Sequence, residues 1–388
     1  MVINVTRNKA LRIEEKQAYL PKFSISSAVL GRLVKERLKH RSRKILFLFC
    51  SVNYFEFRKH FKGKLDLKGL KCMNSTFPSG TFSSFPSIFF AMPVNKHKVF
   101  GAAFYSKRDG LLHDLFKDAV IDANGKIKAG DAFLPDKEVH SILNDLPEKP
   151  VFLGINIHWL DTSAWRGIFG TCKLVKVPQT IKNSGRDFWK EFDTMFLNLN
   201  NIVAGHKPQV LCVFINFDEI MHTYGPNDRR TQELLENVSA KIAAVVRKNR
   251  DYEYLFFSDH GQIDQHVKEP LYLDDVKGLF YSLPGGLGRT RYFYSKSPNA
   301  FRMIKKRVGS SGIVLKRTDP VLRRIFGFDP SNIEEIGDIV TIGTKRNFPS
   351  HGWKYSGEHG GLSLEELCVP YLNLRAAKNK KKTGRRMP

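Results

Sequence analysis

Val210-Leu-Cys-Val-Phe-Ile-Asn-Phe217 runs straight into Asp218-Glu-Ile-Met-His222 and Gly225-Pro-Asn-Asp228; further on, Tyr254-Leu-Phe-Phe257 runs into Ser258-Asp-His-Gly261. Both apolar runs have strand length and lack polar alternation, the pattern of strands buried on two faces. Between them Leu234, Leu235, Val238, Ile242, Val245 and Val246 recur on one face of a helical period, and Gly225-Pro226 gives that helix its start. Strand, helix and strand in this order predict an α/β fold: a three-layer α/β/α sandwich around a mainly parallel sheet. Such sheets bind ligands beyond the carboxyl ends of their strands. Asp218 and Asp259 stand at those ends.

Outward from this unit, Ile45 to Phe49, Val151 to Ile157 and Ile339 to Ile342 read as further strands, and Ser27 to His40 has a helical pattern. Phe77-Pro-Ser-Gly-Thr81 reads as a turn opening a helical run from Phe82 to Phe90, with Pro86 counting against that run. The irregular segment 267–335, with Pro284-Gly-Gly-Leu-Gly288, is expected to be a small cap or insertion. The expected division is a basic lead-in over 1–44, a catalytic domain over 45–374, and a basic, disordered tail over 375–388. No internal repeat is visible.

With 388 residues, 42% of them hydrophobic, the chain has the means to bury a large core. No apolar run reaches the length of a membrane-crossing helix, and the first residues have no apolar signal core, so a cytoplasmic protein is expected. Five cysteines without CxxC spacing predict no disulfide framework and a reducing compartment. The formal charge is +25. Part of it lies between Arg32 and Lys44, and part in the tail at Lys378, Lys380, Lys381, Lys382, Arg385 and Arg386. Such blocks are solvated faces or attract polyanions, and the tail residues are candidates for nucleic-acid binding.

The chemistry-bearing residues are few. Asp218 and His222, four apart, face the same way if the chain turns helical after its strand. Asp259 and His260 are adjacent at a strand end, and His359 lies in the Gly-rich stretch Glu358-His-Gly-Gly361. Together these five ligands suffice for two divalent metal ions, the arrangement used in phosphoryl transfer. Thr81, at the start of a helical run, reads locally as a capping residue. As a nucleophile it needs a metal ion to lower its pKa and a helix N-terminus to favour the phosphate. His351 is an alternative to His359; His158, His206 and His266 have no motif partner. No Cys-x-Pro-x-Arg occurs, which argues against a sulfatase with a modified cysteine.

The order of Pro78-Ser-Gly-Thr81, Pro93-Val-Asn-Lys-His97, Asp218-x-x-x-His222-Thr-Tyr-Gly-Pro226, Ser258-Asp-His-Gly261 and His359-Gly-Gly-Leu-Ser-Leu-Glu-Glu366 resembles the alkaline phosphatase superfamily. Within it the likeness is to the type I phosphodiesterase/nucleotide pyrophosphatase branch, and the last block is also similar to PglZ-type domains of phage-defence systems. The resemblance covers roughly Ile45 to Leu374. It implies an alkaline phosphatase-like sandwich with two metal ions, zinc or else manganese. Asp218, His222 and His359 would hold one; Thr81, Asp259 and His260 would hold the other. It also implies hydrolysis of phosphodiesters or phosphomonoesters through a phosphothreonine on Thr81. Two positions depart from the pattern. Cys50-Ser51 stands where the family has a metal-binding Asp, with Cys50, Asn53 or Glu56 as substitutes, and Ala102 stands where it has a phosphate-binding Asn. The departures weaken the nucleophile-side metal site. They leave an alternative, a catalytically impaired fold that binds nucleic acid or a partner.

Overall fold

The computed structural model describes residues 11–13, 16–18, 26–122, 125–129, 139–155, 157–182, 185–267, 277–349 and 354–375. His351 and the tail cations Lys378, Lys380, Lys381, Lys382, Arg385 and Arg386 lie outside the described residues. The central sheet is built from β1 (Arg43–Cys50), β2 (Lys71–Asn74), β3 (Val151–Ile155), β4 (Lys173–Val177), β5 (Val210–Asn216), β6 (Tyr252–Ser258) and β7 (Cys368–Leu374). Among the described residues its order is β4-β3-β5-β1-β6-β7-β2. The first five are parallel to one another, and β7 runs antiparallel between β6 and β2.

β1 shows why its sequence is apolar throughout. Leu46, Leu48 and Cys50 point into one core and Ile45, Phe47 and Phe49 into the other, the period-2 alternation of a strand covered twice. The first core is closed by α1 (Ser27–Leu38), α3 (Thr81–Phe89) and α4 (Ser163–Phe169). The second is closed by α2 (Tyr54–Phe61), α5 (Phe188–Gly205), α6 (Asp218–Tyr224) and α7 (Arg229–Lys248). Three layers result, as the strand-helix-strand pattern predicts, and fully burying each large side chain is worth about 1.5–3 kcal/mol.

Three expectations need correction. Within the lead-in 1–44, α1 is part of the packed domain: it buries Leu30, Val34 and Leu38 against α3, so its charges line the outer face of a packed helix. The cap is not one contiguous insertion. Its antiparallel sheet takes strands Gly285–Leu287, Thr290–Phe293 and Gly312–Lys316 from the irregular segment but also Ala103–Ser106, Leu111–Asp114, Ala119–Ile121, Ile127–Ala129 and Ile339–Gly343 from outside it. The cysteine count hid a bridge: Cys72 and Cys368 are disulfide-bonded across β2 and β7, 296 residues apart in sequence. Among the described residues no helix is long and apolar enough to cross a membrane.

Pro86 lies inside α3 without ending it. The serines of that helix bond backwards, Ser83 to the Pro78 and Gly80 carbonyls and Ser87 to the Ser83 carbonyl. His97 closes the same corner: it is buried, its Nε2 lies 2.8 Å from Ser87 Oγ and its Nδ1 accepts from Val99 N–H. Burial depresses its pKa to about 3, so it stays neutral and serves packing.

Burial pushes the Glu56 carboxyl of α2 up to about 8, against the Asn53 backbone bond and Lys59. One of its oxygens is enclosed with no hydrogen-bond partner. The native state therefore holds a proton that the unfolded chain releases near a Glu's ordinary pKa of about 4.3. Stability falls as pH rises from that value through about 8. Glu56→Gln is expected to flatten this slope, so that its urea midpoint overtakes that of the wild type as pH rises from 5 to 8.

Candidate active site

β1 lies between β5 and β6, with Asn216 opposite Cys50 and Ser258 opposite Phe49. Neighbouring strands are about 4.8 Å apart. Three strand ends thus deliver Cys50-Ser51, Asp218 and Asp259-His260 to one place, at the carboxyl edge of the parallel sheet. After β5, α6 begins at Asp218 and sets His222 one turn later on the same face, where His222 Nε2 is 3.2 Å from Asp218 Oδ2. After β6 the turn at Asp259-His260-Gly261 is pinned by Gly261 N–H on the Glu366 carbonyl, 2.9 Å. A side chain on Gly261 would collide with the Glu365 carbonyl and Asn53.

His359 arrives on the loop after the short strand Gly357–Glu358. Its Gly-rich stretch is held in shape by Glu366 and Ser363 downstream. The Glu366 carboxylate accepts from Gly361 N–H at 2.7 Å and Ser363 N–H at 3.0 Å, and Ser363 caps the helical turn Leu364–Leu367 in return. Arg289 faces Glu366, Nε to Oε1 3.1 Å, with both side chains fully buried. The second Glu of the block thus holds the backbone that presents the histidine.

Thr81 is the first residue of α3. Its hydroxyl donates to Asp259 Oδ2 at 2.9 Å and lies 3.3 Å from both His260 Nε2 and Cys50 Sγ. On the other side of Asp218, His359 Nε2 lies 3.5 Å from Asp218 Oδ1. The donor atoms of Asp218, His222 and His359 fall within 4.8 Å of one another, and so do those of Cys50, Asp218 and His260. The three imidazoles are held in the same way. Nδ1 of His222 meets the Gly357 carbonyl at 2.8 Å, that of His260 the Gly261 carbonyl at 3.0 Å, and that of His359 the Ser79 carbonyl at 2.9 Å. Each Nε2 is left facing inward, as in metal-ligating histidines whose other ring nitrogen is tied to a carbonyl. A carboxylate with imidazoles so fixed fits a divalent cation such as zinc.

Burial works against charge on Asp218 and His222, but their mutual attraction overrides it. With His359 it holds Asp218 well below the usual carboxylate range, and with Glu358 it lifts His222 to about 9. Burial pushes Asp259 up to about 7 and His260 and His359 down, and it raises the Cys50 thiol. Asp259 and His260 are fully buried, while Thr81, Asp218 and His222 are half-buried and form the open side, where the exposed Tyr355 ring lies 4.6 Å from that of His222.

All of the sequence candidates among the described residues, Thr81, Asp218, His222, Asp259, His260 and His359, come together here. Of the three substitutes for the missing Asp, only Cys50 reaches the cluster. Asn53 Oδ1 is engaged in capping α2 through Phe55 N–H and Glu56 N–H, and Glu56 faces Gln232. Ala102 offers no side-chain donor; its backbone joins Gly286 and Leu115. Ser51 shares the position of the missing Asp with Cys50 but was not among its substitutes, and Tyr355 carries no motif. Ser51, with φ of 70°, adopts the left-handed conformation and donates to Asp218 Oδ1 at 2.6 Å. A strained residue at a strand end is invisible in sequence.

Comparison with known proteins matches residues 66–280 to the family model described as type I phosphodiesterase/nucleotide pyrophosphatase. No curated protein sequence matches the chain. Among solved structures, murine ectonucleotide pyrophosphatase/phosphodiesterase 5 in an inactive form with AMP superposes with a TM-score of 0.61 at 12% identity, covering 87% of this chain and 88% of that one. Phosphonoacetate hydrolase from Sinorhizobium meliloti with phosphonoformate gives 0.58 at 16% identity, covering 89% and 92%. At these identities the likeness is one of fold.

Proposed function

The chain belongs to the type I phosphodiesterase/nucleotide pyrophosphatase family, and on that premise we propose that it is a metal-dependent hydrolase of phosphodiester or phosphomonoester bonds in nucleotide-like substrates. The observation that carries this is the Thr81 hydroxyl at a helix N-terminus, hydrogen-bonded to Asp259 and flanked by His260, with Asp218, His222 and His359 beyond. Asp218, His222 and His359 would hold one divalent ion, and Asp259, His260 and Thr81 the other, zinc first and manganese second. Ions bound there lower the pKa of the Thr81 hydroxyl and neutralise charge that develops on the phosphoryl oxygens.

The protein's own groups supply the rest. Asp259 fixes the direction of the Thr81 hydroxyl through its 2.9 Å bond. Thr81 Oγ1 attacks phosphorus, the ester oxygen leaves from the opposite side, and a phosphothreonine remains for water to cleave. The N–H groups that open α3 receive the phosphoryl oxygens, a task for which Ala102 has no donor. Tyr355, beside His222, is placed to line the path of the leaving group. The rival reading, a catalytically impaired fold that binds nucleic acid or a partner, takes its force from the two departures and the +25 charge. Cys50 beside Thr81 and His260 supports the hydrolase at the first of those departures.

The test is turnover of bis-(p-nitrophenyl) phosphate and p-nitrophenyl phosphate by purified protein supplied with zinc or manganese. Metal-dependent hydrolysis, faster on the diester, is expected. Absence of metal-dependent turnover on both esters rejects the reading.

A further inference from the structure

We propose that Cys50 is a thiolate ligand of the nucleophile-side ion and that it makes this site selective for borderline-soft cations, zinc or cobalt, over manganese and magnesium. This rests on the two-ion reading of the site and adds the identity of a ligand and the class of cation it selects.

Cys50 ends β1, and its side chain is 2% exposed. A buried cysteine ordinarily behaves as a small apolar group. Here the sulfur borders the apolar layer on one side, but on the other it stands 3.3 Å from Thr81 Oγ1 and 3.6 Å from His260 Nε2. With Asp218 and His260 it forms a donor set whose atoms lie within 4.8 Å of one another. The contrast within the chain is informative. Cys172 and Cys212, the other free cysteines among the described residues, have no place in either donor set.

Cysteine suits this position on two physical grounds. A thiolate carries the same single negative charge as a carboxylate, so the balance of charge around the ion is kept. Its side chain is shorter than that of Asp, but a zinc–sulfur bond of about 2.3 Å exceeds a zinc–oxygen bond of about 2.0–2.2 Å, which recovers part of the reach. What changes is softness. Thiolate favours zinc and similar ions, whereas carboxylate also serves manganese and magnesium. Binding must release the thiol proton, so uptake of the ion is coupled to proton release.

The experiment uses the full chain, stripped with a chelator, dialysed and titrated with cobalt(II). The wild type is expected to develop a near-ultraviolet thiolate-to-cobalt charge-transfer band. Cys50→Ser is expected to lose that band while keeping the visible d–d absorption of one equivalent at Asp218, His222 and His359. In Cys50→Asp the band is also absent, and the zinc-over-manganese preference in competition dialysis falls by roughly tenfold or more. Two bound equivalents without the band in the wild type, or a band unchanged in Cys50→Ser, overturn the proposal. The readout is independent of turnover: a chain with the band but no hydrolysis of either ester sinks the hydrolase reading alone, and a hydrolase without the band sinks this one alone.

Discussion

Thr81→Ala is expected to abolish phosphodiester hydrolysis, with a loss in kcat on the order of 10³-fold or more, the scale at which removing a nucleophile is felt in other enzymes. The fold should survive. Thr81 is half-buried at the first position of α3, where a side-chain cap is absent, and alanine is a good helix former. Asp259 loses one donor but keeps the His260 N–H at 2.7 Å. Metal content should stay near the wild-type value, because a neutral hydroxyl is the weakest donor in its set. Thr81→Ser should retain measurable turnover, since it keeps the hydroxyl and gives up only a methyl. Single-turnover kinetics with bis-(p-nitrophenyl) phosphate, alongside circular dichroism and metal analysis, check all of this. An alanine variant that hydrolyses the diester at the wild-type rate would remove Thr81 from the mechanism.

Asp218→Asn is expected to empty both metal sites, where His359→Ala empties one. Asp218 belongs to both clusters of donor atoms, Asp218–His222–His359 and Cys50–Asp218–His260, so its charge bears on the ion beside Asp259, His260 and Thr81 as well as on its own, and it faces His222, His359 and His260 at once. Asparagine keeps the shape and the bond from Ser51 but removes the negative charge that faces all three imidazoles. Altering a residue that merely supports a ligand costs about 10- to 100-fold in metal affinity, and loss of a shared ligand should exceed that. Equilibrium dialysis with zinc is expected to show close to no bound equivalents for Asp218→Asn and one for His359→Ala. Activity should fall in both, further in the first. One tightly bound equivalent in Asp218→Asn would contradict the shared role.

The candidate ligands were legible because their signals are local. An Asp directly after an apolar run marks a strand end, and a His four residues on shares its face if a helix begins there. The same reasoning failed for groups whose partners are distant. Cys50, Asn53 and Glu56 could not be ranked from sequence, since each is a plausible side chain near the end of one strand. The geometry ranks them: Asn53 commits its oxygen to α2, Glu56 packs against Gln232, and Cys50 meets Thr81 and His260. Glu366 was visible only as part of a motif, and its work on Gly361 and Arg289 is apparent only when the loop is folded over it.

Hydrophobic periodicity in this chain marked β1, β3, β5 and β6 as strands and α7 as the helix between the last two, and hence a sheet covered on both faces with ligands expected at its carboxyl edge. Periodicity is a property of neighbours along the chain, so that much is set by the order of residues. Placement of β1 between β5 and β6 brings Cys50 to Asp259, packing brings α1 onto α3, and pairing of β7 with β2 brings Cys72 to Cys368. Those meetings depend on backbone pairing and packing between segments up to 296 residues apart. No local pattern encodes that distance, and it was left for the assembled sheet to decide.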